Sequence, residues 1–173
     1  DVMRGNAGDN GLVGQGGDDW LFGGAGNDAL NGTDGYDRMY GGAGNDIYYV
    51  SDDTDFAYEL ADQGQDFVLA WVDHQLRDNV EDLQLMTNGT GVIGKGNALD
   101  NGLIGNDFGN KLYGYNGIDM LSGNGGDDWL FGGGGNDYLH GGNGYDRMYG
   151  GTGDDFYAIT DTTDYAYENA GEG

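Results

Sequence analysis

The stretch that decides the fold spans residues 123–158 and reads, in groups of nine, GNGGDDWLF, GGGGNDYLH, GGNGYDRMY and GGTGDDFYA. Each group opens with glycine, has Asp at its sixth position and has a large apolar residue at its eighth position. The sixth positions are Asp128, Asp137, Asp146 and Asp155, and the eighth positions are Leu130, Leu139, Met148 and Tyr157. A nine-residue period with this content is typical of a parallel β-helix, in which every copy supplies one turn and one short strand.

The same phase extends over most of the chain and divides it. Copies begin at Gly5, Gly14, Gly23, Gly32 and Gly41, and again at Gly96, Gly105, Gly114, Gly123, Gly132, Gly141 and Gly150, and degenerate copies follow at residues 50–58 and 159–167. Between the blocks the chain has few glycines and two strand-like runs, 67–72 and 80–86, separated by a polar turn-like stretch at 73–79. We therefore predict a first repeat block at 1–58, a β-strand insert at 59–95, a second repeat block at 96–167 and the start of a further insert at 168–173.

A longer repeat overlies the short one. DDWLF at residues 18–22 recurs at 127–131, and GYDRMYGG at 35–42 recurs at 144–151. The chain thus begins within one long copy and stops within another. We expect it to be a segment of a longer array.

Composition restricts the class of protein. A chain with 39 glycines among 173 residues does not suit helices, because each interior glycine costs roughly 1 kcal/mol relative to alanine. The net charge of −25 disfavours nucleic acid and anionic membranes and favours multivalent cations. No apolar run approaches the roughly 20 residues of a membrane-spanning helix, so no membrane insertion is expected. Cysteine is absent, so disulfides cannot stabilise the fold. No Ser-His-Asp or zinc-ligand spacing is present, and we expect a non-catalytic module.

The pattern G-G-x-G-x-D-x-U-x, with U a large apolar residue, resembles the RTX calcium-binding repeats of secreted bacterial proteins. This resemblance implies an all-β fold, a right-handed parallel β-roll in which two copies form one coil. It also implies a structural module that folds in extracellular calcium and belongs to a larger secreted or surface protein, such as a protease, lipase or adhesin. Type I secretion and an extracellular or cell-surface location follow from the same resemblance.

Calcium takes six to eight oxygen ligands from carboxylates and carbonyls, and glycine-rich turns can direct several carbonyls to one point. The candidate carboxylate ligands are Asp1, Asp19, Asp28, Asp37, Asp46, Asp55, Asp119, Asp128, Asp137, Asp146, Asp155 and Asp164. The candidate turn glycines are Gly24, Gly26, Gly42, Gly44, Gly133, Gly135, Gly142, Gly144, Gly151 and Gly153.

The resemblance further implies that aspartates 18 residues apart share an ion, with about eight ions in the chain. Copies with Asn10, Asn101 or Asn110 at the sixth position are expected to form weaker or empty sites, because an amide oxygen brings no charge. Two interpretations are open for Glu59 and Asp66, either ligands of a further site or solvated acids.

Outward strand positions predict a repeated surface cluster. Residues 18 apart lie side by side, so Trp20 and Phe22 neighbour Arg38 and Tyr40, and the long repeat reproduces the set as Trp129, Phe131, Arg147 and Tyr149. A guanidinium over an indole ring gives a cation–π contact of roughly 0.5–1 kcal/mol when exposed. We expect no such cluster on the opposite sheet. Two interpretations are open, a ladder that stiffens the sheet and a docking patch for polysaccharide, a neighbouring module or the insert.

Overall fold

The computed structural model describes residues 1–160 and 162–168, and the regular structure in this part of the chain is entirely β-strand. The strands are β1 (Val2–Arg4), β2 (Gly11–Val13), β3 (Trp20–Ala25), β4 (Ala29–Asn31), β5 (Arg38–Ala43), β6 (Ile47–Val50), β7 (Phe56–Tyr58), β8 (Phe67–Ala70), β9 (His74–Gln75), β10 (Asp82–Leu85), β11 (Ile93–Lys95), β12 (Gly102–Ile104), β13 (Lys111–Asn116), β14 (Met120–Gly125), β15 (Trp129–Gly134), β16 (Tyr138–Asn143), β17 (Arg147–Thr152), β18 (Phe156–Ala158) and β19 (Tyr165–Tyr167). In these residues no helix has the length and hydropathy needed to cross a membrane. Of the predicted further insert at 168–173, only Glu168 lies within the described residues.

Parallel pairing winds the strands into a solenoid of about nine turns. The even-numbered strands, β2 to β18, form one continuous nine-stranded sheet. The odd-numbered strands form the opposite side as two sheets, β1-β3-β5-β7 and β9 to β19, with a break between β7 and β9. The predicted all-β parallel β-roll is confirmed.

Strand register shows that two nine-residue copies make one coil. Leu21 lies opposite Met39, and Leu130 lies opposite Met148, each pair 18 residues apart. Side chains alternate across a strand, so this register keeps every eighth-position residue on the same side of its sheet.

The insert continues the solenoid, with coils of different length. In the nine-stranded sheet Tyr48 pairs with Val68, Val68 with Leu83, and Leu83 with Leu103. The predicted strand-like runs correspond to β8 and β10. The turn predicted at 73–79 was wrong in part, because β9 pairs with β11 there and the side chain of Leu76 is buried in the core.

The core is a single column of side chains between the two sides of the roll. The eighth-position residues Leu21, Leu30, Met39, Tyr48, Leu103, Leu112, Leu121, Leu130, Leu139 and Met148 are fully buried. The degenerate copy at the end of the first block adds Val50, and the insert adds Val68, Ala70, Val80, Leu83 and Leu85. A buried Leu or Met contributes roughly 1.5–3 kcal/mol. With one large apolar residue for each nine-residue copy, this core is small for the length of backbone that it must order.

Candidate metal centre

The sixth-position aspartates lie where each turn meets its strand, with their carboxylates inside the roll. Asp19, Asp28, Asp37, Asp46, Asp55, Asp119, Asp128, Asp137 and Asp146 are at most 2% exposed. Asp155 and Asp164 are partly buried, and Asp1 is exposed. Burying a carboxylate is costly unless a cation or hydrogen-bond donors compensate its charge, so the donors around each one matter.

In every buried sixth-position carboxylate except that of Asp19, one oxygen accepts a backbone hydrogen bond from the sixth position of the preceding coil. Asp19 Oδ1 instead lies 2.6 Å from the N-terminal ammonium of Asp1. Asp137 Oδ1 accepts the N–H of Asp119 at 2.8 Å, and Asp155 Oδ1 accepts the N–H of Asp137 at 2.8 Å. The same bond links the predicted pairs Asp19–Asp37, Asp28–Asp46, Asp37–Asp55 and Asp128–Asp146. At the two outer pairs, the N–H of Trp20 donates to the Asp1 carbonyl and the N–H of Tyr165 donates to the Asp146 carbonyl. The structure therefore places the predicted partners side by side.

The second carboxylate oxygen has no hydrogen-bond partner in most of these copies. This holds for the buried Oδ2 atoms of Asp19, Asp28, Asp37, Asp46, Asp119, Asp128 and Asp137. An unsatisfied buried acceptor costs about 1–3 kcal/mol, and more when it is charged. A row of such oxygens fits a row of bound cations.

Backbone carbonyls approach the same positions. A Cβ atom at Gly114, the first residue of its copy, would collide with Asp119 Oδ2 and would lie 2.7 Å from the carbonyl oxygen of Gly132 in the next coil. A Cβ at Gly123 would meet Asp128 Oδ2 and the Gly141 carbonyl at 2.5 Å in the same way. Only glycine leaves room for a carboxylate and a carbonyl oxygen to converge there.

The predicted turn glycines share a second geometric feature. All ten have φ between 101° and 140°, in the left-handed region. In addition, a Cβ at Gly135 would overlap the carbonyl oxygen of Gly117 one coil earlier. The turn carbonyls therefore stack along the coil edge and add hard oxygen donors of the kind that calcium prefers.

The RTX calcium-binding nonapeptide repeat family matches residues 1–30, 23–57, 104–139, 113–148 and 132–158. The chain belongs to this family. The matches fall within both repeat blocks, over residues 1–57 and 104–158, and leave the insert out. No curated protein matches the chain. As RTX repeats, the two blocks form a calcium-binding structural module, and the paired carboxylates described above are the candidate ligands within it.

Copies with asparagine satisfy the sixth-position side chain within their own turn. Asn110 Oδ1 accepts the N–H of Asn106 at 2.7 Å, and Asn101 Oδ1 accepts the N–H of Asn97 at 2.7 Å. These amides are buried, yet neither is left with an unpartnered atom. This geometry agrees with the expectation that the asparagine copies are the weaker RTX sites.

The degenerate copies that end each block differ from the regular RTX copies. Asp55 Oδ2, the oxygen that has no partner in most regular copies, accepts the N–H of Ser51 at 3.1 Å. The hydroxyls of Ser51 and Thr54 donate to carbonyls of the preceding coil, those of Thr33 and Gly35. In the second block Thr160 N–H donates to Asp164 in the same manner at 3.2 Å. In these copies, side-chain hydroxyls donate to the carbonyl oxygens that would otherwise be available to a cation. Ion sharing by Asp37 with Asp55, or by Asp146 with Asp164, stays a prediction.

Two carboxylates extend one row through the insert; the sequence left Asp66 open between a ligand and a solvated acid, and sequence reasoning missed Glu81. Asp66 Oδ1 accepts the N–H of Asp46 at 2.8 Å, and Glu81 Oε2 accepts the N–H of Asp66 at 2.9 Å. Counting in nines does not reach them, because the insert coils are longer or shorter than 18 residues. A fifth-position row was also missed, in which Asn27 Oδ1 accepts the N–H of Asn45 at 2.9 Å.

Burial raises the pKa of several of these carboxylates. Burial, and then the charge of the neighbouring aspartate, raises the pKa of Asp119 and Asp128 to about 7, despite the backbone hydrogen bonds that lower it. Burial likewise raises the pKa of Asp37 and Asp137. A bound cation would favour the ionised form at each of these positions.

The expected aromatic face is present on the odd-numbered strands. The Arg38 guanidinium lies 4.8 Å from the Trp20 ring centroid, and Phe22 stacks on Tyr40 at 5.0 Å. The second RTX block repeats the set, as Arg147 lies 4.8 Å from Trp129 and Phe131 stacks on Tyr149 at 5.0 Å. The opposite sheet has ring contacts of its own, since Tyr138 stacks on Phe156 and Tyr49 on Trp71, but among the described residues no arginine lies over a ring there.

Proposed function

We propose that this chain is a module whose folding is driven by extracellular calcium, within a larger secreted or surface bacterial protein. The observation that supports this most is the row of buried aspartates, in most of which one carboxylate oxygen accepts a backbone N–H and the other has no hydrogen-bond partner. RTX repeats are typical of secreted bacterial proteins, which supports the extracellular location and export by a type I route. Nothing in the candidate site calls for catalysis, and the module acts as structure.

The energetic argument is that calcium supplies what the thin core lacks. About eight divalent ions would reduce the net charge from −25 to about −9 and would complete the unpartnered oxygens. Without ions, carboxylates stacked on successive coils repel each other across a poorly solvating interior. Binding free energy then becomes folding free energy, as in other small metal-dependent domains.

A calcium titration followed by far-ultraviolet circular dichroism tests this proposal. We expect a largely disordered chain in calcium-free buffer and a cooperative gain of β-structure, with a midpoint on the order of 10⁻⁴–10⁻³ M. Magnesium should be a poor substitute, because it requires tighter octahedral coordination. A full β-sheet spectrum in excess chelator would contradict the proposal.

A second candidate function is recognition of a polysaccharide or protein through the aromatic face. The rings of Trp20 and Trp129 remain 41% and 37% exposed although the neighbouring rings stack. The first block's stack continues to Tyr58, which borders a cleft of about 560 Å³ at the break between β7 and β9. Aromatic side chains that line a concave surface are typical of ligand sites.

Substitution of Trp129 by Ala separates recognition from a purely structural role. If the face recognises a ligand, the variant should keep its calcium-induced folding but lose retention on a polysaccharide array or an assembly signal. Loss of folding, or no change in either property, would argue against recognition. Tyr138→Ala on the opposite sheet, where Tyr138 also stacks on a neighbouring ring, serves as the matched control.

A further inference from the structure

Three buried carboxylates meet where the first repeat block joins the insert. Asp46 precedes β6, Asp66 precedes β8, and Glu59 follows β7. Each offers one carboxylate oxygen, and these three oxygens all lie within 4.8 Å of one another. Exposure of the residues is 1% for Asp46, 8% for Glu59 and 1% for Asp66. Glu59 and Asp66 lie outside the nonapeptide copies and outside the family match.

We propose that Asp46, Glu59 and Asp66 form a separate calcium site, termed here the junction site. That the cation is calcium rests on the proposed function. Oxygens bound to one calcium ion at 2.3–2.6 Å lie no more than about 4.6–5.2 Å apart, and the three carboxylates meet this limit. The acidic side chain supplied by Glu59 distinguishes the junction site from the repeat sites.

Hydrogen bonds hold one oxygen of each carboxylate and leave the other without a partner. Glu59 Oε1 accepts the hydroxyl of Tyr48 and the N–H of Gly42, the latter at 3.2 Å. Asp46 and Asp66 each hold a backbone N–H with Oδ1, that of Asp28 at 2.6 Å and that of Asp46 at 2.8 Å. The remaining atoms, Asp46 Oδ2, Glu59 Oε2 and Asp66 Oδ2, are buried and have no hydrogen-bond partner. Fixed carboxylates with free oxygens are the arrangement of a preformed cation site.

No protein cation neutralises this cluster. Within residues 1–160 and 162–168, no lysine or arginine forms an ion pair with Asp46, Glu59 or Asp66. Three mutually close carboxylates without a counter-ion are costly to bury, since each must be ionised against the charge of the others. A divalent cation removes most of that cost.

The surface beside the junction site provides a route for the ion. Glu59 borders the cleft of about 560 Å³ at the break between β7 and β9. It also borders a second depression of about 290 Å³ that Tyr58 and Gln63 help to line. The side chain of Glu59 therefore lies next to clefts that open to solvent, from which an ion can approach the site.

The junction site lies at an interruption of strand pairing. The odd-numbered side of the roll loses its strand pairing between β7 and β9, whereas β6 and β8 stay paired on the even-numbered side. An ion bound by Asp46, Glu59 and Asp66 joins the end of β7 to the starts of β6 and β8. It would thus tie the unpaired end of the first block to the continuous sheet.

The long repeat supplies a matched control residue. Glu168 occupies the place of Glu59, and its Oε1 accepts the hydroxyl of Tyr157 at 2.6 Å, as Glu59 accepts that of Tyr48. Glu168 is exposed, and none of the described residues takes the place of Asp66 beside it. The substitution Glu168→Gln therefore makes the same chemical change without a complete three-carboxylate site.

The test counts calcium bound to the full chain by equilibrium dialysis with atomic emission. We expect Glu59→Gln and Asp66→Asn each to bind one calcium ion fewer than the parent chain at saturation, and Glu168→Gln to bind as many as the parent chain. An unchanged count in Glu59→Gln, or an equal loss in Glu59→Gln and Glu168→Gln, would overturn the junction site. A parent chain that binds no calcium would instead refute the proposed function.

A second measurement does not depend on the folding of the variants. Crystals of the parent chain grown with terbium in place of calcium should give an anomalous peak between Asp46, Glu59 and Asp66. Peaks at the repeat aspartates with none at this position would overturn the inference, while leaving the proposed function intact.

Discussion

Replacing Asp137 by Asn should change stability in opposite directions with and without calcium. Asp137 is 2% exposed, and its Oδ1 accepts the N–H of Asp119. Its own N–H donates to Asp155, so it belongs to two of the predicted ion-sharing pairs. Asparagine keeps an oxygen for the Asp119 bond and removes the charge. The substitution thus isolates the carboxylate's part in cation binding.

The magnitude follows from binding linkage. At a calcium concentration one hundred times the dissociation constant, one site stabilises the fold by about 2.7 kcal/mol. Weakening both sites that use Asp137 therefore costs up to about 5 kcal/mol in calcium. In calcium-free buffer the sign reverses, because the variant no longer buries an unpartnered charged oxygen, and a gain of about 1–3 kcal/mol is expected.

The assay is urea unfolding of the parent chain and the variant, monitored by circular dichroism in saturating calcium, with calcium titrations that start from the metal-free chain. Asp154→Asn is the control, since it removes the same charge from an exposed side chain beside Asp155. We expect the control to change the free energy of unfolding by no more than about 0.5 kcal/mol. Equal losses in both variants, or a loss for Asp137→Asn that does not depend on calcium, would refute the reasoning.

Two further predictions concern the turns and the effect of pH. Gly135→Ala should destabilise the calcium-bound chain by about 2 kcal/mol or more, because φ is 134° and the new Cβ would overlap the Gly117 carbonyl. Gly134→Ala should destabilise the chain less, because Gly134 is not in the left-handed region and its added Cβ would lie 3.2 Å from the Thr152 hydroxyl. Equal thermal denaturation midpoints for the two variants would contradict this. In calcium-free buffer, lowering the pH through 7 towards 4 should increase the β-sheet signal, because the folded-state pKa of Asp119 and Asp128 is raised to about 7 from 3.8. A circular dichroism signal that falls monotonically over that range would contradict the burial of these carboxylates in the calcium-free fold.

The nine-residue period made the repeat blocks predictable. Once Asp137 is assigned to the sixth position, its burial, its partner 18 residues away and the inward direction of Leu139 follow from coil geometry. The positive φ of Gly135 and the contact of Arg147 with Trp129 follow from the same phase. These features depend on a local pattern, and a local pattern can be read from one sequence.

The insert could not be predicted in the same way, because its pairing depends on long-range register. The coil from Tyr48 to Val68 has two residues more than a repeat coil, and the coil from Val68 to Leu83 has three fewer. Neither length is encoded by a repeating motif. The contact between Tyr48 and Glu59, and with it the junction site, depends on how this irregular chain packs.

Despite these irregular lengths, the second block continues the same sheet as the first. From Tyr48 to Leu103 the nine-stranded sheet advances three coils over nearly the same number of residues as three repeat coils. Each insert coil closes in register with the coil before it, so Leu103 reaches the core column with the same orientation as Tyr48. Along that edge the carboxylates of Asp66 and Glu81 continue the row that Asp46 belongs to.

The row changes character at Asn101. Asn101 Nδ2 donates a hydrogen bond to the Glu81 carbonyl at 3.0 Å. In the regular copies a carboxylate oxygen occupies the position of this amide nitrogen. In a solenoid each coil is stabilised mainly by its neighbours, so this coil must pass stability between the blocks through the backbone bonds of β10 and β12 and through the core contact of Leu83 with Leu103. We therefore expect calcium bound in one block to stabilise the other through packing and strand pairing along the continuous nine-stranded sheet.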